Sequence, residues 1–261
     1  MECEINYACP VCKLPLSSMV NGSLCQQCRR IYPVKMKTGS GIRDFVVEDL
    51  TKSTVLGFDA LAKIYETPFW YPFIYHFCGG LFIPSVNEEI KMITEMVDAQ
   101  GGVGLDVGCG TGLFTRSIAQ QMRLVHGIDI SMGMLEKATD YAREKEIENI
   151  CFARADAERL PFPDSVFDGV VCCGTIHLLP DTVVALREMA RVMKKDARLA
   201  VMTFVKRRFL RFKWIYEHLR EDLGLYIFDV EELDDYLSQA GFKKFDYNIH
   251  GSMILFRAEK S

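Results

Sequence analysis

The sequence has no apolar run long enough to cross a bilayer and no excess of positive charge. A membrane-spanning helix needs about 20 consecutive apolar residues, whereas the most apolar stretch, 69–83, is interrupted by Pro72, His76 and two glycines. The first six residues contain neither a basic segment nor an apolar one, which argues against a secretory signal. A formal charge of −4 at pH 7 argues against a generally basic nucleic-acid-binding surface, while leaving room for a local basic patch.

Internal repeats and low-complexity segments are also absent from the 261 residues. Hydrophobic residues make up 49% of the chain and charged residues 25%, which is ordinary for a folded protein with a packed core. A chain of this length accommodates one large domain, or one medium domain with a small module.

The ten cysteines do not resemble a disulfide framework. Four form a spaced set near the N-terminus, and the other six lie scattered, several of them inside apolar runs: Cys3, Cys78, Cys109, Cys151, Cys172 and Cys173. Free, buried thiols of this kind are typical of a reducing compartment. We therefore expect a cytoplasmic protein.

The spaced set consists of two CysXXCys pairs within residues 1–48, Cys9 with Cys12 and Cys25 with Cys28. Two such pairs can place four thiolates at the corners of a tetrahedron, the geometry that structural Zn²⁺ prefers. A segment this short has too small a core to fold alone, and metal binding can supply the missing free energy. A redox pair or free thiols are the alternatives. Four thiolates leave no open coordination position, so the predicted zinc site is structural and not catalytic.

Residues 49–100 form a predicted bridge between this module and the rest of the chain. Apolar residues recur at helical spacing over 51–66, and a second helix is predicted over 86–97. Between them lies an aromatic segment, 69–82, whose prolines prevent a regular helix. That segment either packs between modules or forms a wall of a substrate pocket, and packing is the preferred interpretation.

From residue 101 onward, short β-rich runs alternate with amphipathic helices. Strands are predicted at 103–107, 124–128, 150–153, 167–173 and 198–204, with helices at 113–122, 133–145 and 181–193 between them. Alternation of this kind indicates βαβ units and a parallel sheet covered on both faces. The tail adds a helix at 229–240 and two strands, 242–248 and 252–257, joined by a tight turn.

A glycine-rich turn, LeuAspValGlyCysGlyThrGly at 105–112, follows the first of these strands. Glycines let the backbone turn sharply and pass close to a ligand. Alone, the turn indicates only a nucleotide-binding unit. Acidic residues follow at the ends of the next two strands: Asp129, placed to accept ribose hydroxyls, and Asp156, placed to accept an adenine amino group.

These motifs, in this order, resemble the class I S-adenosylmethionine-dependent methyltransferases over about 103–204, particularly the small-molecule type that includes quinone-ring C-methyltransferases. The resemblance implies an α/β, Rossmann-like, seven-stranded, mostly parallel sheet with a C-terminal antiparallel hairpin, preceded here by the zinc ribbon. The cofactor contacts that it implies are Asp106, Gly108, Cys109, Gly110, Asp129, Ile130, Met134, Asp156, Ala157 and Gly174.

Methyl transfer is an in-line displacement, and it needs a general base only when the acceptor must lose a proton. His177, just past the fourth strand, is the best-placed candidate, although a pocket-wall or helix-capping role is equally open. The sequence has no AsnProProTyr motif, which would mark methylation of exocyclic nitrogens. Cys172 and Cys173 lack the ProCys signature of a cysteine nucleophile, so packing thiols are the preferred interpretation.

The acceptor stays open between a small molecule and RNA. A basic segment at 206–225 has the position of a substrate lid or of a surface helix. The acidic chain and the aromatic 65–82 segment favour a small molecule. The N-terminal module, with Arg29, Arg30, Lys35, Lys37 and Arg43, favours RNA, and it resembles both the zinc-ribbon activators of tRNA and protein methyltransferases and, more weakly, the finger of 23S rRNA guanine-N1 methyltransferases.

Over nearly its full length, the chain resembles bacterial, archaeal and plant-plastid methyltransferases without an assigned substrate. A non-catalytic, cofactor-binding activator is the alternative from a different class. The sequence does not specify the oligomeric state.

Overall fold

A computed structural model describes residues 6–37, 40–47, 62, 65–67, 84–206 and 224–261. Most of the aromatic segment 69–82, most of the helix predicted over 51–66 and most of the 206–225 segment lie outside the described residues. The strands in chain order are β1 Ser17–Met19, β2 Gly22–Cys25, β3 Arg30–Lys37, β4 Ser40–Asp44, β5 Val103–Val107, β6 Leu124–Asp129, β7 Ile150–Arg154, β8 Phe167–Cys173, β9 Met193–Phe204, β10 Phe242–His250 and β11 Met253–Lys260. The helices are α1 Val86–Val97, α2 Leu113–Ile118, α3 Met132–Glu144, α4 Thr182–Val192 and α5 Val230–Gln239, with a 3₁₀ helix at Ile176–Leu178.

The seven C-terminal strands form one sheet in the order β7-β6-β5-β8-β9-β11-β10. The pairs from β7 to β9 are all parallel, and β11 runs antiparallel to both β9 and β10. This confirms the predicted Rossmann-like sheet with its C-terminal hairpin. The order reverses between β6, β5 and β8, and a crevice at such a switch point is where open α/β sheets bind ligands.

The N-terminal strands continue the same sheet. β1, β2, β3 and β4 pair antiparallel with one another, and β4 then pairs in parallel with β7, with Arg43 opposite Ala153. Next to this pairing, Phe45 N donates to Arg154 O at 2.8 Å. The N-terminal module is therefore hydrogen-bonded into an eleven-stranded sheet.

Both faces of the sheet are covered. One buried cluster joins α1 and α2 to the sheet through Ile93, Phe114, Val171 and Leu255. The other places α4, α5 and the N-terminal module over the opposite face, around residues such as Phe162. Apolar positions at helical spacing on the helices and at alternate positions on the strands are what allow this two-faced burial.

Two elements differ by four or five residues from the predicted bounds, which is more than the others do. α2 ends at Ile118, not at residue 122, because the following turn bonds to the loop before β5: Gly101 N donates to Gln121 O at 2.8 Å and Arg123 N to Gly102 O at 2.9 Å. β9 begins at Met193, directly after α4, and is therefore longer than predicted.

One cysteine also departs from expectation. Cys151 on β7 is disulfide-bonded, so the prediction of a free thiol was wrong there. Cys109, Cys172 and Cys173 are free. Among the described residues, no helix is both long and apolar enough to span a bilayer.

Candidate functional site

The glycine turn between β5 and α2 adopts a backbone that only glycine tolerates well. Gly108, Gly110 and Gly112 have φ values of 71°, 53° and 81°, in the left-handed region that disfavours side chains. A Cβ at Gly108 would lie 2.3 Å from the Thr175 side chain, whereas for one at Gly110 the nearest atom among the described residues is Tyr65 Cε1 at 4.0 Å. The turn thus packs tightly below and is open near Gly110.

Asp129, at the end of β6, holds this turn in place. Its Oδ2 accepts a hydrogen bond from Gly110 N at 2.8 Å, and its Oδ1 accepts one from Ser131 N, also at 2.8 Å. A carboxylate oxygen can accept more than one hydrogen bond, so holding the turn is compatible with ligand binding. The residue predicted to bind ribose is therefore also the residue that links the glycine turn to the next strand.

Asp156 follows the neighbouring strand end. Its Oδ1 accepts from Glu158 N at 2.9 Å, and Ala155 N donates to Asp129 O at 3.1 Å. The second of these bonds joins the ends of β6 and β7, and the first shapes the loop after β7. Ile130 is half-buried and Ala157 is buried beside them, so the structure brings together the residues that the resemblance assigned to adenosine.

Three other predicted contacts turn their side chains into the protein. Asp106 is buried and accepts from Thr115 Oγ1 at 2.6 Å. The pKa of Asp106 is raised to about 7, mainly by burial and partly by the nearby charge of Asp129, while the Thr115 hydrogen bond opposes the rise. Cys109 packs with Leu135, and Met134 is buried while its N–H caps onto Ser131 Oγ at 3.1 Å.

The end of β8 forms the other wall. Gly174 has a φ of 71°, and its N–H donates to Met202 O on β9 at 3.0 Å. His177, in the 3₁₀ helix that follows, is buried with Nδ1 3.1 Å from Thr203 Oγ1. Burial lowers the pKa of His177 to about 4, so the ring is neutral at physiological pH. Its catalytic role stays a prediction.

A buried ion pair beside the glycine turn has no counterpart among the sequence predictions. Arg116 on α2 is buried, and its guanidinium lies 2.6 Å from Glu66 Oε2. Thr111 Oγ1 donates to the other oxygen of Glu66, and Arg116 also donates to Thr111 O at 2.6 Å. This fastens the Tyr65–Glu66 segment beside Gly110. Fifty positions separate the two partners, and no spacing pattern links them.

The four predicted metal ligands lie together. The Sγ atoms of Cys9, Cys12, Cys25 and Cys28 are all within 4.8 Å of one another. The Cys9–Cys28 and Cys12–Cys25 sulfur pairs are 3.9 Å and 3.5 Å apart. Four sulfurs held about 2.3 Å from one Zn²⁺ in a tetrahedron lie about 3.8 Å apart, so the cluster has the dimensions of such a site.

The N-terminal module that carries the cysteine cluster contacts the loop after Ala157 and helix α4. Ala8 N donates to Pro161 O at 2.9 Å, and Lys13 pairs with Glu188 on α4 at 2.7 Å. The Tyr7 and Phe162 ring centroids are 5.5 Å apart. The N-terminal module therefore packs against the loop that follows the residues predicted to bind adenosine.

The strand order is that of the class I methyltransferase fold. Residues 105–201 match the family profile described as "Methyltransferase domain". An O-methyltransferase of Penicillium expansum is 33% identical over 67% of this chain and 70% of its own length. The chain belongs to the S-adenosylmethionine-dependent methyltransferase family.

Other relatives extend the likeness in length and in structure. An uncharacterised chloroplastic methyltransferase of Arabidopsis thaliana is 28% identical over 97% of this chain and 78% of its own length. The crystal structure of the YcgJ protein of Bacillus subtilis superimposes with a TM-score of 0.60 at 19% identity, covering 67% of this chain and 98% of that one. At that identity, the structural likeness shows the fold alone.

Proposed function

We propose that the chain transfers a methyl group from S-adenosylmethionine to a small molecule, and that the four-cysteine cluster holds a structural Zn²⁺. The observation that carries the first part is the pair of 2.8 Å hydrogen bonds at Asp129. Through them, one carboxylate fixes the glycine turn at the strand end where the ribose is expected to bind.

The residues divide the work of binding between them. Asp129 would accept the ribose hydroxyls, Asp156 would accept from the adenine amino group, and the open side of Gly110 would face the amino-acid end of the cofactor. The bound cofactor supplies an activated sulfonium methyl group. The protein's task is therefore to align an acceptor with that methyl group and to exclude water.

Two observations favour a small acceptor over RNA. Relatives include proteins named 27-O-demethylrifamycin SV methyltransferase and demethylmenaquinone methyltransferase. Two of the basic residues that favoured RNA are engaged within the protein: Lys35 pairs with Asp44 at 2.7 Å, and Arg43 donates to Ser23 Oγ at 2.9 Å. The basic surface of the module is smaller than the sequence suggests.

A labelled-methyl assay tests this proposal. The chain is incubated with methyl-labelled S-adenosylmethionine and either the low-molecular-mass fraction or the total RNA of a cell extract. We expect label in the first fraction. Label confined to RNA would show that the acceptor is RNA and not a small molecule, and cofactor binding without any transfer would support the non-catalytic activator instead.

Binding of total rRNA and tRNA across salt concentrations gives an independent check, since phosphate contacts weaken steeply with salt.

A further inference from the structure

A buried carboxyl group on α1 has no partner in the fold. Glu89 is fully buried, and neither of its carboxylate oxygens has a hydrogen-bond partner in the part of the chain that the structure describes. Leaving a buried acid unpaired is costly, and such groups concentrate at functional sites. Its neighbour Glu88 has an ordinary role, since it completes the capping box with Ser85 at the start of α1.

The path of α1 places Glu89 at the ligand-binding edge of the sheet. At the other end of the helix, Val97 lies against Gly169, where a Cβ would come within 2.6 Å of Val97 Cγ2. Glu89 lies about 12 Å before Val97 along the helix, and Cys173 lies about 13 Å beyond Gly169 along β8. The helix shares a buried cluster with Met253, which pairs with Phe204 at the end of β9, and with Cys173 at the end of β8. With Val97 lying against the start of β8, the helix therefore runs antiparallel to β8 and brings Glu89 towards Cys173.

Electrostatics support this placement. The pKa of Cys173 is raised well above its ordinary value, first by burial and then by the negative charges of Glu89 and Asp106. Cys173 is the last residue of β8 and precedes Gly174. Glu89 thus lies near the end of β8, two strands away in the sheet from β6, which ends at Asp129.

Besides the Cys173 thiol, the buried residues that pack with α1 are mainly apolar. On β9 and β11, Met202, Met253 and Leu255 present apolar side chains to the helix. On α2, the charged residue is Arg116, which is paired with Glu66. Burial alone raises the pKa of Glu89 to about 8. A base in this range is well matched to proton transfer near neutral pH, whereas His177, whose pKa burial lowers to about 4, is a weak base.

We infer that Glu89 is the general base of the methyl transfer and that the acceptor is a small molecule with an ionisable hydroxyl group, such as a phenol or an enol. In this step, the Glu89 carboxylate takes the hydroxyl proton and the acceptor's electron pair forms the new bond to the methyl carbon. The methyl–sulfur bond breaks with its electron pair remaining on sulfur, and the proton leaves Glu89 for solvent after product release. This inference rests on the proposed function.

The test compares Glu89→Gln and Glu89→Met with Glu95→Gln, an exposed acid on the same helix. Each variant is assayed for S-adenosylhomocysteine affinity, thermal midpoint and transfer of labelled methyl into the low-molecular-mass fraction between pH 6.5 and 9. We expect both Glu89 variants to bind S-adenosylhomocysteine within about twofold of the wild type and to lose transfer by at least about 100-fold. Glu89→Met should not lower the thermal midpoint, because it removes an unpaired buried acid, and Glu95→Gln should behave as the wild type.

The pH profile separates a base from a structural residue. Transfer by the wild type should rise with pH through one ionisation, and the residual transfer of Glu89→Gln should lack that rise. Wild-type transfer by Glu89→Gln would overturn the inference alone, as would loss of stability and cofactor binding in step with transfer in both variants. A wild type that labels no small molecule would overturn the proposed acceptor class and this inference together.

Discussion

At the scale of single residues, the site depends on backbone positions that tolerate no side chain. Gly108 combines a φ of 71° with a Cβ position 2.3 Å from Thr175. Gly101 has a similar φ of 69°, but no atom of the described part of the chain lies within 4 Å of its Cβ position. Alanine substitutions at Gly101 and Gly108 therefore separate the free-energy cost of a positive φ from the cost of a steric clash.

Gly108→Ala should therefore weaken S-adenosylmethionine binding by at least about tenfold, because the left-handed backbone costs roughly 1–2 kcal/mol and the turn must also move away from Thr175. Gly101→Ala should carry only the dihedral cost and keep the wild-type affinity. Isothermal titration measures both. Equal affinities for the two variants would show that the tight packing under the turn has no bearing on the cofactor.

Residue-scale prediction from sequence succeeded where a pattern marks the position. Asp129 and Asp156 stand at the ends of apolar runs, so their convergence at one edge could be predicted before any coordinates. Glu89 also left a signal, since it lies four and eight positions before Ile93 and Val97 on the buried face of α1. An acidic residue at the helical spacing of buried apolar residues indicates a buried carboxyl group. The Glu66–Arg116 ion pair has no such sequence signal, because the two residues are brought together only by the fold.

At the scale of elements, the Tyr65–Glu66 segment is held over the glycine turn by one buried ion pair. Removing one partner of such a pair leaves an uncompensated charge and costs about 3–5 kcal/mol. Glu66→Gln should lower both the thermal midpoint and the cofactor affinity, whereas Glu95→Gln, which removes an exposed pair with Lys91 at 3.9 Å, should change neither. Combining Glu66→Gln with Arg116→Met should recover part of the loss. If Glu66→Gln matches the wild type in both measurements, the pair does not secure the segment.

The N-terminal module offers a second element-scale prediction. Because it supports the loop after Ala157 and pairs with β7 through β4, losing the metal should affect the distant cofactor. Cys25→Ser should reduce the zinc content from one ion per chain, lower the thermal midpoint and weaken S-adenosylmethionine binding. Elemental analysis, thermal denaturation and titration measure the three quantities.

Cys172→Ala is the matched control, since this buried thiol lies outside the cluster. It should keep one zinc ion per chain. A wild type that purifies without zinc and is unaffected by a strong chelator would contradict the structural metal site.

The periodicity of apolar residues predicts the helices and strands themselves, but it does not predict which distant strands pair. The helices at 132–144, 182–192 and 230–239 lie within a residue or two of their predicted bounds. The parallel pairing of β4 with β7 joins positions more than 100 residues apart, and nothing in either strand specifies the other. The sequence pointed to a separate small module, whereas the hydrogen bonds make it part of the sheet.

At the scale of the whole molecule, two buried histidines contribute to the loss of stability in acid. Burial lowers the pKa values of His126 and His177 to about 4, below the unfolded value of 6.5. Their neutral forms are favoured in the folded state, so this contribution is complete above pH 6.5. It is lost as the pH falls from 6.5 towards 4, because the unfolded chain binds protons first, by up to about 3 kcal/mol for each group.

His126 is the better group to change, because it packs against Phe162 and Phe167 away from the cofactor, with Nε2 unpartnered among the described residues. His126→Phe should lessen the fall of the unfolding free energy between pH 6.5 and 4, as measured by denaturant titration. His250→Gln, at the half-buried end of β10, should leave the slope unchanged. An unaltered slope in His126→Phe would exclude this residue as a source of acid instability.

The central claim is that the carboxyl ends of β5, β6 and β7 bind S-adenosylmethionine around Asp129, and calorimetric titration of the wild type and Asp129→Ala tests it most directly. The wild type should bind one cofactor per chain. Asp129→Ala should bind it more weakly by about 1–3 kcal/mol, because the ribose loses its acceptor and Gly110 N loses its partner. Asp140→Ala, on the outer surface of α3, should match the wild type. No measurable binding by the wild type, or equal affinities for the wild type and Asp129→Ala, would contradict the account.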